Sequence, residues 1–276
     1  MSDDKPLEEQ VLTRTENGVL WITLNRPEVA NAVTPDQRNY VIDLLNEASE
    51  SYDVRAVVLT ATGKFFCTGA DLRSNRAAPP PKPEGAPERI LGEARRMMLT
   101  GAIRLMSTIM DCEKPVIAAV PGTAAGIGAH MAFACDLVLA SDNAKFIEVF
   151  VRRALVADGL GTWILPRLIG LQKAKELVFF GDDIPAARAA ELGLVNKVVP
   201  ADELEATAKE WAERLAAGPS KSLMMNKWLL NRSLDVDRAT MAQEESWIVD
   251  VMAQSLDSDE GVNSYLEKRP PKFRGY

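Results

Sequence analysis

Two stretches of this chain pass through the same change of character, and that repetition limits the folds open to it. VRAVVLTATGKFFCTGADL (54–72) and KPVIAAVPGTAAGIGAHMAFACD (114–136) each run from an unbroken apolar segment through small, glycine-bearing residues to a helix start. An unbroken apolar strand needs cover on both faces of its sheet, which a sheet with one wet face does not give. The reading is α/β with structural repeats whose mutual sequence identity is weak.

The flanking segments fit that reading. GVLWITL (18–24) is strand-like, and TPDQRNYVIDLLNEASES (34–51) opens as a helix: Thr34 as N-cap, Pro35 in the first turn and Gln37 closing a capping box. Tyr40, Val41, Leu44, Leu45 and Ala48 supply its apolar face. RAAPPPKPEGAPER (76–89) is too rich in proline for a helix or a central strand and is expected to be an exposed, mobile connector. Beyond Ala201 the strand signals stop. Three amphipathic segments, 201–218, 220–234 and 239–256, carry Trp211, Trp228 and Trp247 on apolar stripes suited to packing or subunit contacts. The expected division is a core over 1–200 and a helical region over 201–276.

Composition removes several function classes. With 276 residues and 47% hydrophobic content the chain can build a core without metals or disulfides. Cys67, Cys112 and Cys135 are scattered, with no Cys-x-x-Cys pair, so a reducing compartment is expected. MSDDKPLEEQ lacks the basic start and apolar run of a secretory signal, and no later run approaches a membrane span, which points to the cytoplasm. A net charge of -7 argues against nucleic acid as a partner.

The two glycine turns, FFCTGADL (65–72) and GTAAGIG (122–128), are where chemistry is expected. Small residues let a ligand approach the backbone, and a helix start leaves N–H groups unpaired. Two such turns side by side can hold one carbonyl oxygen between two peptide N–H donors. Taken alone, each turn is more often just a tight turn. Other motifs fail: Met131 stands where a dinucleotide fingerprint needs its third glycine, no Gly-Lys-Ser/Thr or Gly-x-Ser-x-Gly occurs, and the single histidine cannot build a multi-histidine metal site.

Taken together, ITLNRPEVANAVTPD, VVLTATGKFFCTGADL, KPVIAAVPGTAAGIGAHMAFACDLVLASDNAKF, LPRLIG, AAELGLVNKVV and YLEKRPPKFRG resemble the enoyl-CoA hydratase/isomerase (crotonase) superfamily, in order and over almost the whole chain. The resemblance implies an α/β crotonase-like spiral of β-β-α repeats with a C-terminal helical trimerisation region, assembled as a homotrimer or a dimer of trimers. It implies an acyl-CoA thioester as ligand, with coenzyme A entering as part of the substrate and no separate cofactor or metal. The oxyanion hole falls on the backbone N–H groups of Ala70 and Ile127. The CoA surface falls on Val29, Ala30, Thr68, Asp71 and Leu72, with Lys268 and Phe273 serving their own or a neighbouring subunit's site, and Arg26 and Lys64 as local cations for the anionic ligand.

The pattern breaks where hydratases of this family carry two glutamates. His130 occupies the first position and Phe150 the second, with Glu148 two residues earlier read as a surface or subunit-contact charge. Phe can neither donate nor accept a proton, so the paired-carboxylate route to hydration has lost a required group. Asp158, eight residues after Phe150, matches a carboxylate found in branches that isomerise dienoyl-CoA, hydrolyse β-hydroxyacyl-CoA or dehalogenate aromatic acyl-CoA, and is also read as a helix N-cap. His130 is read either as a packing residue or as a proton shuttle.

The expected reaction is double-bond isomerisation of an enoyl- or dienoyl-CoA, with Asp158 as base and His130 assisting reprotonation. Hydration or thioester hydrolysis through Asp158 or His130, and acyl-CoA binding without chemistry, stand as alternatives. Phe150, Val151 and Leu155 suggest an apolar, bulky acyl group.

Overall fold

A computed structural model describes residues 5–73, 82–87 and 90–276. Most of the connector expected at 76–89 lies outside them; 82–87 form a turn without helix or strand.

A short helix α1 (Leu7–Gln10) leads into the antiparallel pair β1 (Val11–Glu16) and β2 (Val19–Leu24), then helix α2 (Pro35–Glu50). The Thr34/Gln37 capping box forms in both directions, with Gln37 N–H on Thr34 Oγ1 at 3.2 Å and Thr34 N–H on Gln37 Oε1 at 2.9 Å. Strands β3 (Ala56–Ala61) and β4 (Phe65–Cys67) follow, then helices α3 (Glu93–Thr100) and α4 (Ala102–Asp111). The second repeat is β5 (Val116–Val120), β6 (Thr123–Ala125) and α5 (Ile127–Ala134). A third contains β7 (Leu137–Ser141), β8 (Lys145–Ile147), α6 (Gly161–Ile169) and α7 (Leu171–Phe180). Strand β9 (Asp183–Pro185), α8 (Ala186–Glu191) and β10 (Lys197–Val199) close the strand-bearing part, and α9 (Leu204–Ala216), α10 (Ser220–Arg232), α11 (Arg238–Met252) and α12 (Leu256–Leu266) complete the chain.

The strands divide between two sheets because each repeat gives one strand to each. The larger runs β1-β2-β3-β5-β7-β10 and the smaller β4-β6-β8-β9. This is the α/β spiral of β-β-α repeats. The unbroken apolar strands are explained by cover on both faces of the larger sheet. Leu20, Ile22, Val57, Leu59, Ala118 and Val120 face the main core with α2, α4 and α5. Trp21, Ala56, Val58, Ile117, Ala119 and Leu139 face the opposite side, where Leu204, Ala208, Ala212 and Ala216 of α9 close over them. Helix α9, though beyond residue 200, is thus part of the packing of that sheet.

Helices α10 and α11 bury no residue in the single chain, and Trp228 and Trp247 remain exposed, whereas Trp211 packs at the edge of the α9 cluster. Helix α10 is fastened by Lys227, whose ammonium donates to Asp136 at 2.8 Å and to the carbonyls of Ile109 and Lys114. Among the described residues no helix is long and apolar enough to cross a membrane.

Candidate active site

The smaller sheet sets the site through its register. Strands β4 and β6 run parallel, with Cys67 opposite Ala124, so Ala70 and Ile127, three residues beyond each, emerge at the same edge. Close approach of the two turns depends on Gly128: a Cβ there would lie 2.1 Å from the Cys67 carbonyl oxygen. Among the described residues neither the Ala70 nor the Ile127 N–H has an acceptor. Val33 holds the first turn from both sides, donating to Gly69 O at 2.9 Å and accepting from Asp71 N–H at 3.0 Å, which leaves the intervening Ala70 N–H directed elsewhere. Ile127 is the first residue of α5, where a helix has N–H groups to spare.

Both donors line one cavity of about 340 Å³. Thr68, Asp71 and Leu72 border it on the β4 side, Met97, Met98 and Ala102 on the α3–α4 side, and Val149, Phe150, Leu155 and Asp158 on the side formed after β8. The lining is largely apolar around two peptide donors and the Asp158 carboxyl, with Arg38 and Arg153 also at its border. The Asp158 Oδ1 atom is buried without a hydrogen-bond partner. Burial pushes its carboxyl above the ordinary Asp range, and the nearby His130 ring, when charged, pulls it part of the way back.

Two peptide N–H donors converging on an apolar cavity that also holds a carboxyl group suit activation of a carbonyl compound, and comparison with known proteins agrees. The family model for enoyl-CoA hydratase/isomerase matches residues 14–276. The chain belongs to the enoyl-CoA hydratase/isomerase family. It is 37% identical to a probable enoyl-CoA hydratase of Rhodobacter capsulatus, covering 94% of this chain and 95% of that one. It is 34% identical to the 1,2-epoxyphenylacetyl-CoA isomerase of Escherichia coli, covering 97% and 99%. The crystal structure of a putative enoyl-CoA hydratase from Streptomyces coelicolor superposes with a TM-score of 0.89 at 30% identity, covering 99% and 96%.

Against the family's pattern, the remaining expected residues divide into those at the cavity and those elsewhere. Val29 and Ala30 are half-buried beside it, with the Ala30 carbonyl accepting from the Thr68 N–H and hydroxyl. Lys64 is exposed on the turn before β4. Lys268 and Phe273 do not reach the cavity of their own chain: the tail after α12 is tied back, with Arg269 on Glu260 and the Arg274 and Gly275 N–H groups on Asp257.

Three expectations are corrected. Arg26 is not a cation offered to CoA. Its guanidinium is buried, donating to Asp71 Oδ2 at 3.2 Å, Gln37 Oε1 at 3.3 Å and the Ala32 carbonyl at 3.1 Å. It braces Asp71, the residue that follows Ala70 and itself borders the cavity, against the capped end of α2. Asp158 is not a helix cap: α6 begins at Gly161 without a side-chain cap, and Asp158 contributes only its carbonyl to the turn.

The third correction concerns Glu148, which is no surface charge. It is 2% exposed and its carboxylate accepts from His130 Nε2 at 2.9 and 3.2 Å. The signal available in sequence was an acidic residue inside the apolar run FIEVF. His130 itself is fully buried, stacked on Phe150 with ring centroids 5.3 Å apart, and does not line the cavity. It cannot meet an acyl chain there, which removes the expected direct part in reprotonation.

Proposed function

We propose that this acyl-CoA-processing enzyme shifts a carbon–carbon double bond in an enoyl- or dienoyl-CoA, with Asp158 as the base. The observation that carries the reading is the Asp158 carboxyl, without a partner at Oδ1, in the same cavity as the Ala70 and Ile127 N–H donors. At the paired-glutamate positions stand a phenylalanine and a histidine turned away from the cavity.

The thioester oxygen accepts from the two N–H groups, which stabilise the negative charge it gains as the reaction proceeds. The Asp158 carboxylate takes a proton from the carbon next to the carbonyl, and the C–H electron pair moves into a dienolate. The same carboxyl returns the proton two carbons further along, moving the double bond with no oxidant or water consumed. A base at an apolar wall is suited to this work because its raised proton affinity makes it a stronger acceptor. The isomerase names of two relatives, 1,2-epoxyphenylacetyl-CoA isomerase and the trans-2-decenoyl-[acyl-carrier-protein] isomerase of Streptococcus mutans, support the reading. The apolar lining favours an apolar acyl group.

Hydratase names among the relatives favour a second reading, in which Asp158 activates water. One experiment separates them: mass spectrometry of products from 2-enoyl-, 3-enoyl- and 3,5-dienoyl-CoA in heavy water. A moved double bond that Asp158→Asn abolishes, with turnover reduced about 10³-fold or more, supports isomerisation. A mass gain of one water supports hydration, and free thiol supports hydrolysis. Full turnover in Asp158→Asn removes Asp158 from the chemistry, and acyl-CoA binding with no product from any thioester supports a binding protein. We further propose a homotrimer, alone or paired, that covers the exposed Trp228 and Trp247 face, to be checked by light scattering.

A further inference from the structure

Two arginines border a cavity that is otherwise mostly apolar, and neither has a carboxylate to balance it there. Arg38 stands one turn into α2. Its Nε and Nη2 donate to the neutral Asn39 side chain at 3.3 and 3.1 Å, and among the described residues it forms no ion pair. Arg153 ends the short helical turn Val151–Arg153 that follows Phe150. Its neighbour Arg152 is held by Asp183 at 2.9 Å, whereas the Arg153 side chain has no hydrogen bond or ion pair among the described residues. Asp158 is not the missing partner: its Oδ1 is unpartnered, and neither guanidinium is among the groups that act on its proton affinity.

The fold makes room for the Arg38 guanidinium. A Cβ at Gly101, between α3 and α4, would stand 2.8 Å from Nη1, so the group lies against that junction, next to Ala102 of the cavity wall. Arg38 is half-buried, and burial and the like charge of Arg104 both work against its positive charge, with Asp36 opposing them from beyond ion-pair distance. A guanidinium keeps its proton regardless, so the imbalance stands until an anion arrives. Its position indicates which end of a thioester would bring one. Val29, Ala30 and Lys64, expected to meet CoA ahead of α2 and β4, do not line this cavity. Arg38 lies by the α3–α4 wall and Arg153 by the wall after β8, among Met97, Met98, Phe150 and Leu155. We propose that the acyl group ends in a carboxylate, which Arg38 and Arg153 receive on the walls away from the β4 turn, while the apolar lining holds the carbons between it and the thioester. This deepens the reading of the cavity as the acyl-CoA site and rests on it, but not on Asp158 being the base. A planar guanidinium suits a carboxylate because it can donate two parallel N–H bonds.

The test is calorimetric binding of saturated thioesters, which have no double bond to move: succinyl-, adipyl- and suberyl-CoA against butyryl-, hexanoyl- and octanoyl-CoA, with free CoA as the control. For at least one length the carboxylate-ended thioester should bind about 10-fold or more tightly than its methyl-ended partner. Arg38→Met should cut that ratio about 10-fold and the more exposed Arg153→Gln about 3-fold, with free CoA affinity within about twofold of wild type in both. Arg38→Lys, which keeps the charge and loses the fork, should fall between wild type and Arg38→Met, and it carries the comparison with Arg153→Gln if Arg38→Met does not fold. No preference for the carboxylate at any length overturns the proposal, as does a preference that survives every arginine variant. So does loss of free CoA affinity in step with the thioesters, which assigns the arginines to the phosphates of CoA. Failure of the acyl-CoA reading is seen separately, as a wild-type protein that binds none of the six thioesters, and it removes the proposal with it. Turnover that survives Asp158→Asn overturns only the isomerase reading and leaves these affinities to decide.

Discussion

The turns after β4 and β6 and the segment after β8 leave the same edge of the same sheet, yet they work by different means. The first two act through backbone: Ala70 and Ile127 contribute only N–H groups, and what matters is how closely the chain can approach itself. The third is set by side chains: Glu148 pairs with His130, Phe150 stacks on its ring, and Phe150 and Asp158 border the cavity. Under the proposed function, binding and activation are properties of geometry, and the choice of reaction is a property of a few replaceable groups.

Substitutions can break that contrast from either side. The largest stability effect is expected at Gly128: alanine there places Cβ 2.1 Å from the Cys67 carbonyl, a backbone atom that cannot swing away. Gly128→Ala should lose about 3 kcal/mol or more, seen in chemical denaturation, and lose acyl-CoA binding with it. At Gly161 the clash is with the His130 ring, which can yield by leaving Glu148. Gly161→Ala should cost about 1–3 kcal/mol while acyl-CoA affinity, measured by calorimetry, stays near wild type. Equal loss of binding in both variants would erase the distinction between the two regions.

The smallest expected effect has the opposite sign. Burial raises the Asp158 proton affinity, so the folded protein holds that proton more tightly than the unfolded chain. Stability from this group is present below the unfolded value, near pH 4, and is lost as pH rises through the higher folded value. At neutral pH the carboxylate is a small burden, and Asp158→Asn should raise Tm by about 1–3 °C while turnover falls. A lower Tm would mean that Asp158 holds the fold together and would weaken its assignment as a base.

What could be read from sequence follows the same line. The Thr34/Gln37 box, the doubly covered strands and both glycine turns are local patterns, and each formed where its residues indicated. Arg26 and Glu148 were misread because their partners are distant: Asp71 lies 45 residues from Arg26, and His130 lies 18 residues from Glu148 across the boundary between a helix and a strand. Alternation does not tell inside from outside here: Phe146 and Ile147 of β8 and Glu148 just after it are all buried although adjacent. A charged residue in an apolar run marks either an edge or a buried pair, and only the fold distinguishes them.

The parallel ladder β4-β6-β8 also bears on how such proteins diversify. Because the third turn is a separate rung, substitutions between 147 and 161 leave in place the two rungs that carry Ala70 and Ile127. A lineage can thus keep an inherited handle and change the tool attached to it. Relatives with hydratase and isomerase names at 37% and 34% identity to one chain are the outcome such a division of labour would produce.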